Sequence, residues 1–170
     1  MIALDIETEM DDRGFYTRKL TVASIIDLHT RHISQFSPDT ITELVYFLPY
    51  AGRVITFNGT TFDLPVLSQY APRPLIDTVD SFDMYRDLAS RSTIKKIKMD
   101  DVSLGTLGHA LPQHGEDLAA MGQTKALWQR SANGTIELSQ IYNFGVINRY
   151  ITVSQQHNTF DIAVDWTDRP

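Results

Sequence analysis

The chain has 170 residues, 42% hydrophobic and 21% charged, a balance that suits one globular domain spanning 1–170 and excludes a fibrous or disordered chain. It contains no cysteine, which excludes a disulfide framework, a thiolate nucleophile and a Cys-based zinc site. Any metal must then sit on oxygen or histidine ligands, which makes hard cations such as Mg²⁺ or Mn²⁺ the natural candidates, and a net charge of −6 argues against broad clamping of duplex nucleic acid through its phosphates.

Met1 to Leu4 is short and apolar and runs directly into Asp5 and Glu7, as a buried strand does. No charged-then-apolar leader precedes Ile2 and no apolar stretch approaches the ~20 residues of a membrane helix, so the expectation is a cytoplasmic protein. "LTVASIIDL" (Leu20 to Leu28) and "RHISQF" (Arg31 to Phe36), with a turn-like His29-Thr30 between them, complete a predicted three-stranded antiparallel start. Ser37, Pro38 and Asp39 are helix-start residues, and Ile41, Leu44, Val45 and Leu48 follow at helical spacing. The β-branched run of "RVITFNG" predicts a strand that exits into a loop at Asn58 and Gly59.

"TTFDLPVLSQY" predicts a short helix with a threonine cap and Asp63 in its first turn, where Pro65 is tolerable only because it lies near the start. "LIDTVDSFDMYRDLAS" reads as a strand and then a helix, and "VSLGTLGHAL" as another helix. Residues 112–134 are polar and irregular, and the pattern of 135–157 predicts a long closing helix. Strands first, then alternating helix and strand, indicate an α/β fold with a mixed sheet covered by helices.

The acids carry the chemistry. Asp5 and Glu7 are two apart, so a strand turns both carboxylates to one face. A solvated strand edge would explain them, but Ile2, Leu4 and Ile6 make the strand buried, and like charges beside a core are costly without a cation. Asp63, five residues after Asn58, is either an ordinary helix-capping acid or a third carboxylate for a two-metal hydrolase. In such a site two hard cations about 3.5–4 Å apart act on either side of a phosphodiester.

"ALDIETE", with Asp5 and Glu7, and "VITFNGTTFDLPVL", with Asn58 and Asp63, resemble the first two motifs of the DEDD (DnaQ-like) 3′-to-5′ exonuclease superfamily, in its branch related to the proofreading domain of family B DNA polymerases. The similarity extends over most of the chain. It implies a ribonuclease H-like fold, two Mg²⁺ or Mn²⁺ ions held by Asp5, Glu7 and Asp63, and removal of nucleotides from the 3′ ends of single-stranded DNA or RNA. On the same resemblance, Asn58 and Phe62 order or stack the terminal nucleotides.

The pattern breaks in the last motif, where the family has a Tyr and, four residues later, an Asp. Four residues after Tyr142 stands Val146, and if "VINRY" sets the register instead, Gly145 takes the acid's place and Ile141 the tyrosine's. Either way the fourth carboxylate is missing. Tyr142 is then a core aromatic or a catalytic, water-orienting residue. The second function consistent with this gap is a catalytically inactive module that binds nucleic acid or scaffolds a replication or repair partner.

Other residues rank lower. Asp83 and Asp87 suit helix capping or solvation, Lys95, Lys96 and Lys98 a solvated face or a grip on single-strand phosphates, and Trp128 and Trp166 packing. His157 and Asp161 at spacing four, and Asp165, read more simply as surface residues, and His29, His32, His109 and His114 show no ligand spacing.

Overall fold

The alternation at the start of the chain sets the layers of the computed structural model, which describes residues 1–10, 16–94, 96–109, 124–156 and 158–167. In β1 (Ile2–Met10), Ile2, Leu4 and Ile6 enter one core and Ala3 the other, so Asp5 and Glu7 lie on the Ala3 face. β1 pairs antiparallel with β2 (Tyr16–Asp27), setting Asp5 opposite Ser24, and β2 pairs antiparallel with β3 (Ile33–Phe36). On its other edge β1 runs parallel to β4 (Val54–Thr56), and β4 to β5 (Ser81–Asp83). The order β3-β2-β1-β4-β5 is a five-stranded mixed sheet.

Helices cover both faces. α1 (Ile41–Phe47) and α2 (Asp63–Leu67) bury Ile41, Leu44, Val45, Leu64, Val66 and Leu67 against Ile2, Leu4 and Ile6. The opposite face receives α3 (Met84–Arg91), α4 (Met99–Leu107) and the 25-residue α5 (Thr124–Asn148), through Met84, Leu88, Val102, Leu138 and Ile141. A mixed sheet flanked in this way has the ribonuclease H-like architecture expected from the sequence.

Two expectations are corrected at the carboxy-terminal end. Residues 124–134, read as irregular, are the first turns of α5. The predicted helix over 135–157 stops at Asn148, where Arg149 adopts φ 63°, and gives way to β6 (Tyr150–Gln155) and β7 (Asn158–Ala163), an antiparallel pair. The reason lies in period-two burial: Ile151 and Val153 are buried while Thr152 and Ser154 are not. Lys95, His114 and His157 lie outside the described residues. Among the described residues no helix is long and apolar enough to cross a membrane.

Candidate active site

Unequal strand lengths leave the acids of β1 without a strand neighbour on one edge. β4 ends at Thr56, while β1 runs on to Met10, so the stretch carrying Asp5 and Glu7 has no strand beside it on that edge. The chain leaving β4 turns at Asn58, which has φ 65°, and at Gly59, where a Cβ would lie 2.4 Å from the Cβ of Thr56. It then enters α2 with Asp63 at the first position, beside β1, and the backbone N–H of Ile6 donates to the Asp63 carboxylate.

Asp83 pins this turn from β5. Its carboxylate accepts from the backbone N–H of Asn58 (2.8 Å), the N–H and hydroxyl of Thr60 (3.1 and 2.6 Å) and the N–H of Tyr85 at the start of α3 (3.1 Å). The capping role expected of Asp83 is thus present. Thr60, by contrast, serves Asp83, and α2 has no side-chain cap. Asn58 is half-buried in the loop that carries Asp63, and Phe62 packs partly against the core beneath α2.

The carboxylates act on one another. Burial pushes the Asp63 carboxyl up to about 8, and the charges of Asp83 and Glu7 add to the effect. Burial likewise raises Glu7 to about 7, against the pull of Arg130. Asp5 is raised well above the usual carboxylate range by burial and by Glu7 and Asp63, with Arg130 and a hydrogen bond from Ser131 opposing.

Arg130 and Ser131 come from α5, which crosses the sheet above β1. Gln35 on β3 donates to the Trp128 carbonyl (2.8 Å) and the Ser131 hydroxyl to the backbone carbonyl of Asp5 (3.3 Å), which fixes the helix over the acids. The Arg130 Nε lies 3.5 Å from Glu7 Oε1, and its Nη2 is 4.0 Å from Asp100 Oδ1 on α4. One turn further on, the α5 backbone approaches Asp5 so closely that a Cβ on Gly134 would stand 2.7 Å from Asp5 Oδ2.

The helix positions that face the acids at spacing four are therefore 130 and 134, which corrects the expected 141/145 or 142/146. Tyr142 lies eight residues beyond Gly134, about 12 Å along the helix axis. It is buried in the second core, stacked on Trp166 with centroids 5.9 Å apart and planes 11° apart, and in edge contact with Phe82. The core role of Tyr142 is the one found, not the water-orienting one. Gly145 faces Trp166. Trp166 packs as expected, and its indole N–H donates to Asp87 (2.7 Å), which therefore does more than solvate its helix. Asp161 is exposed and accepts from the Thr152 hydroxyl (2.6 Å).

Sequence reasoning missed Arg130, Ser131 and Gly134, together with the buried Glu137 that accepts from the Ser103 hydroxyl (2.7 Å). Their signal was present: Leu127, Ser131, Gly134, Leu138 and Ile141 recur at helical spacing, but small residues on the buried face obscured the stripe.

Whether the acids suit a divalent cation can be tested on this geometry. Clustered, buried carboxylate oxygens are the donors that Mg²⁺ and Mn²⁺ take. Yet among the described residues no three His, Asp or Glu side chains converge closely enough to hold a metal ion. The donor chemistry fits; the arrangement as folded has an arginine within it.

Fold and site together define an α/β protein of ribonuclease H-like architecture with a cluster of acids beside its central strand. No family model matches the sequence, and no curated protein matches it. Among solved structures the chain is similar to the family B DNA polymerase from the hyperthermophilic archaeon Pyrobaculum calidifontis, with a TM-score of 0.56 and 16% identity, over 85% of this chain and 25% of that one. At this identity the likeness shows the fold alone, and the chain spans about a quarter of the polymerase's length.

Proposed function

We propose that the chain is a metal-dependent 3′-to-5′ exonuclease domain acting on the ends of single-stranded DNA or RNA, weakened by the loss of the fourth carboxylate. The observation that carries this reading is the gathering of Asp5, Glu7 and Asp63 beside β1, where burial makes all three weaker acids than usual and the charge of neighbouring carboxylates adds to the effect at Asp5 and Asp63. Such a cluster calls for added positive charge. Mg²⁺ or Mn²⁺ at this cluster, held chiefly by Asp5 and Asp63, would supply activation of water and neutralisation of the leaving oxygen in phosphodiester hydrolysis. The chain's own part is positional: the Ile6 N–H orients Asp63 and Asp83 sets the turn that presents it, while Asn58 and Phe62, on that turn, would order or stack the terminal nucleotide.

A second reading is favoured by one observation. Position 134, which faces Asp5, is a glycine and brings no ligand, so the chain could be a non-catalytic module that binds single strands or a replication or repair partner. Digestion of 3′-labelled single strands with Mg²⁺ and with Mn²⁺ decides between them. Shortening from the 3′ end that disappears in Asp5→Ala is the expected result. Binding of the strand without cleavage under either ion selects the second reading.

A further inference from the structure

α5 brings two residues to the acids at spacing four, and both bear on how many cations the cluster can take. Arg130 reaches in from one turn, its guanidinium bridging Glu7 on β1 and Asp100 on α4 at 3.5 and 4.0 Å. Gly134, on the next turn, brings the helix backbone against Asp5. We infer that Arg130 is a resident cation of the cluster and, together with Gly134, closes one of two cation positions, so that the protein takes up a single divalent ion on the Asp5–Asp63 side. For that ion the inference rests on the exonuclease reading.

A guanidinium is a delocalised positive charge on a planar fork of donors, suited to lie between two carboxylates. It is also largely enclosed, with 17% of the Arg130 side chain exposed and 10% of the Glu7 side chain, so water screens it poorly. A divalent ion placed on Glu7 would meet a like charge roughly 4 Å away, where repulsion in a partly buried site reaches several-fold the thermal energy. The glycine adds a steric reason. With the Gly134 Cβ position already 2.7 Å from Asp5 Oδ2, the helix occupies the volume where an acidic side chain would meet an ion, unless Asp5 moves.

A tyrosine and an acid four residues apart would leave the cluster strongly negative, whereas an arginine and a glycine in that spacing supply one positive charge and no ligand.

The test is Mn²⁺ titration by calorimetry, joined to electron paramagnetic resonance, which distinguishes one isolated ion from a spin-coupled pair. Wild type should take up one Mn²⁺ with an isolated signal. Arg130→Gln should bind Mn²⁺ at least about tenfold more tightly, while Arg130→Lys should stay near wild type. Two ions in wild type overturn the inference without any variant, which keeps it open to refutation if a substituted protein fails to fold. Unchanged affinity in a folded Arg130→Gln also overturns it and leaves Arg130 a staple between α4 and β1. No Mn²⁺ uptake by wild type or by Arg130→Gln overturns this inference and the exonuclease reading together. Tighter Mn²⁺ in Arg130→Gln with no 3′ digestion by any form overturns the exonuclease reading alone.

Discussion

Asp63 is 6% exposed and its carboxylate is met by two other acids, Asp83 and Glu7, so ionising it in the folded chain costs free energy. An acid whose folded pKa lies above its unfolded value binds its proton more tightly when folded. Its contribution to stability is then complete below the unfolded pKa and lost as pH rises through the folded one. For Asp63 that window runs from 3.8 to about 8, and for Glu7 from 4.5 to about 7. Asp63→Asn removes the ionisation while keeping an acceptor for the Ile6 N–H. In metal-free buffer we expect it to be more stable than wild type by about 2 kcal/mol at pH 8 and no more stable at pH 3.5, read from urea unfolding at both pH values. Equal stability of the two proteins at pH 8 would show that Asp63 is not held against its neighbours.

At the scale of the element, α5 carries two notches that fit it to the molecule. Glycine within a helix costs roughly 1 kcal/mol against alanine, so its presence here answers to contact. Gly134 admits Asp5, and Gly145 admits the Trp166 ring, whose Cε3 a Cβ would meet at 2.2 Å. Gly145→Ala must push the indole out of its stack with Tyr142 and Phe82 and should destabilise by ~1–3 kcal/mol. Trp166→Ala, which empties the same place and breaks the bond to Asp87, should cost about 3–5 kcal/mol. Denaturant midpoints at constant slope measure both. Because Gly145 lies about 16 Å along the helix from Gly134, neither Gly145→Asp nor Val146→Asp should tighten Mg²⁺, and a gain in either by calorimetry would contradict the helix register.

For the molecule as a whole, the sheet separates two cores, and the acids collect where β1 outruns β4 between them. The cluster is thus a place where burial works against charge in a chain that already carries −6. Without divalent ions the melting temperature should therefore decline from near pH 4.5 toward pH 8, as Glu7 and Asp63 ionise. Mn²⁺ should restore stability chiefly at the upper end of that range, because only there are the acids ionised to receive it. Differential scanning calorimetry across pH, with and without Mn²⁺, checks both; a Mn²⁺ shift of equal size at pH 4.5 and pH 8 would place its binding elsewhere.

Local pattern by itself determined the mixed sheet, the antiparallel start, the shared face of Asp5 and Glu7, and the helix opening at Asp63, because each depends on alternation or on a turn within a few residues. The hairpin of 150–163 was legible too, in the alternation of Ile151 and Val153, but a preceding helical stripe masked it. What faces the acids from α5 was decided only in three dimensions. Spacing within a helix says which residues share a face, not how far along its axis the helix crosses the sheet. That placement comes from contacts over more than ninety residues of sequence, Gln35 with Trp128 and Asp5 with Ser131, and it sets Arg130 and Gly134 over the carboxylates while Tyr142 packs against Trp166.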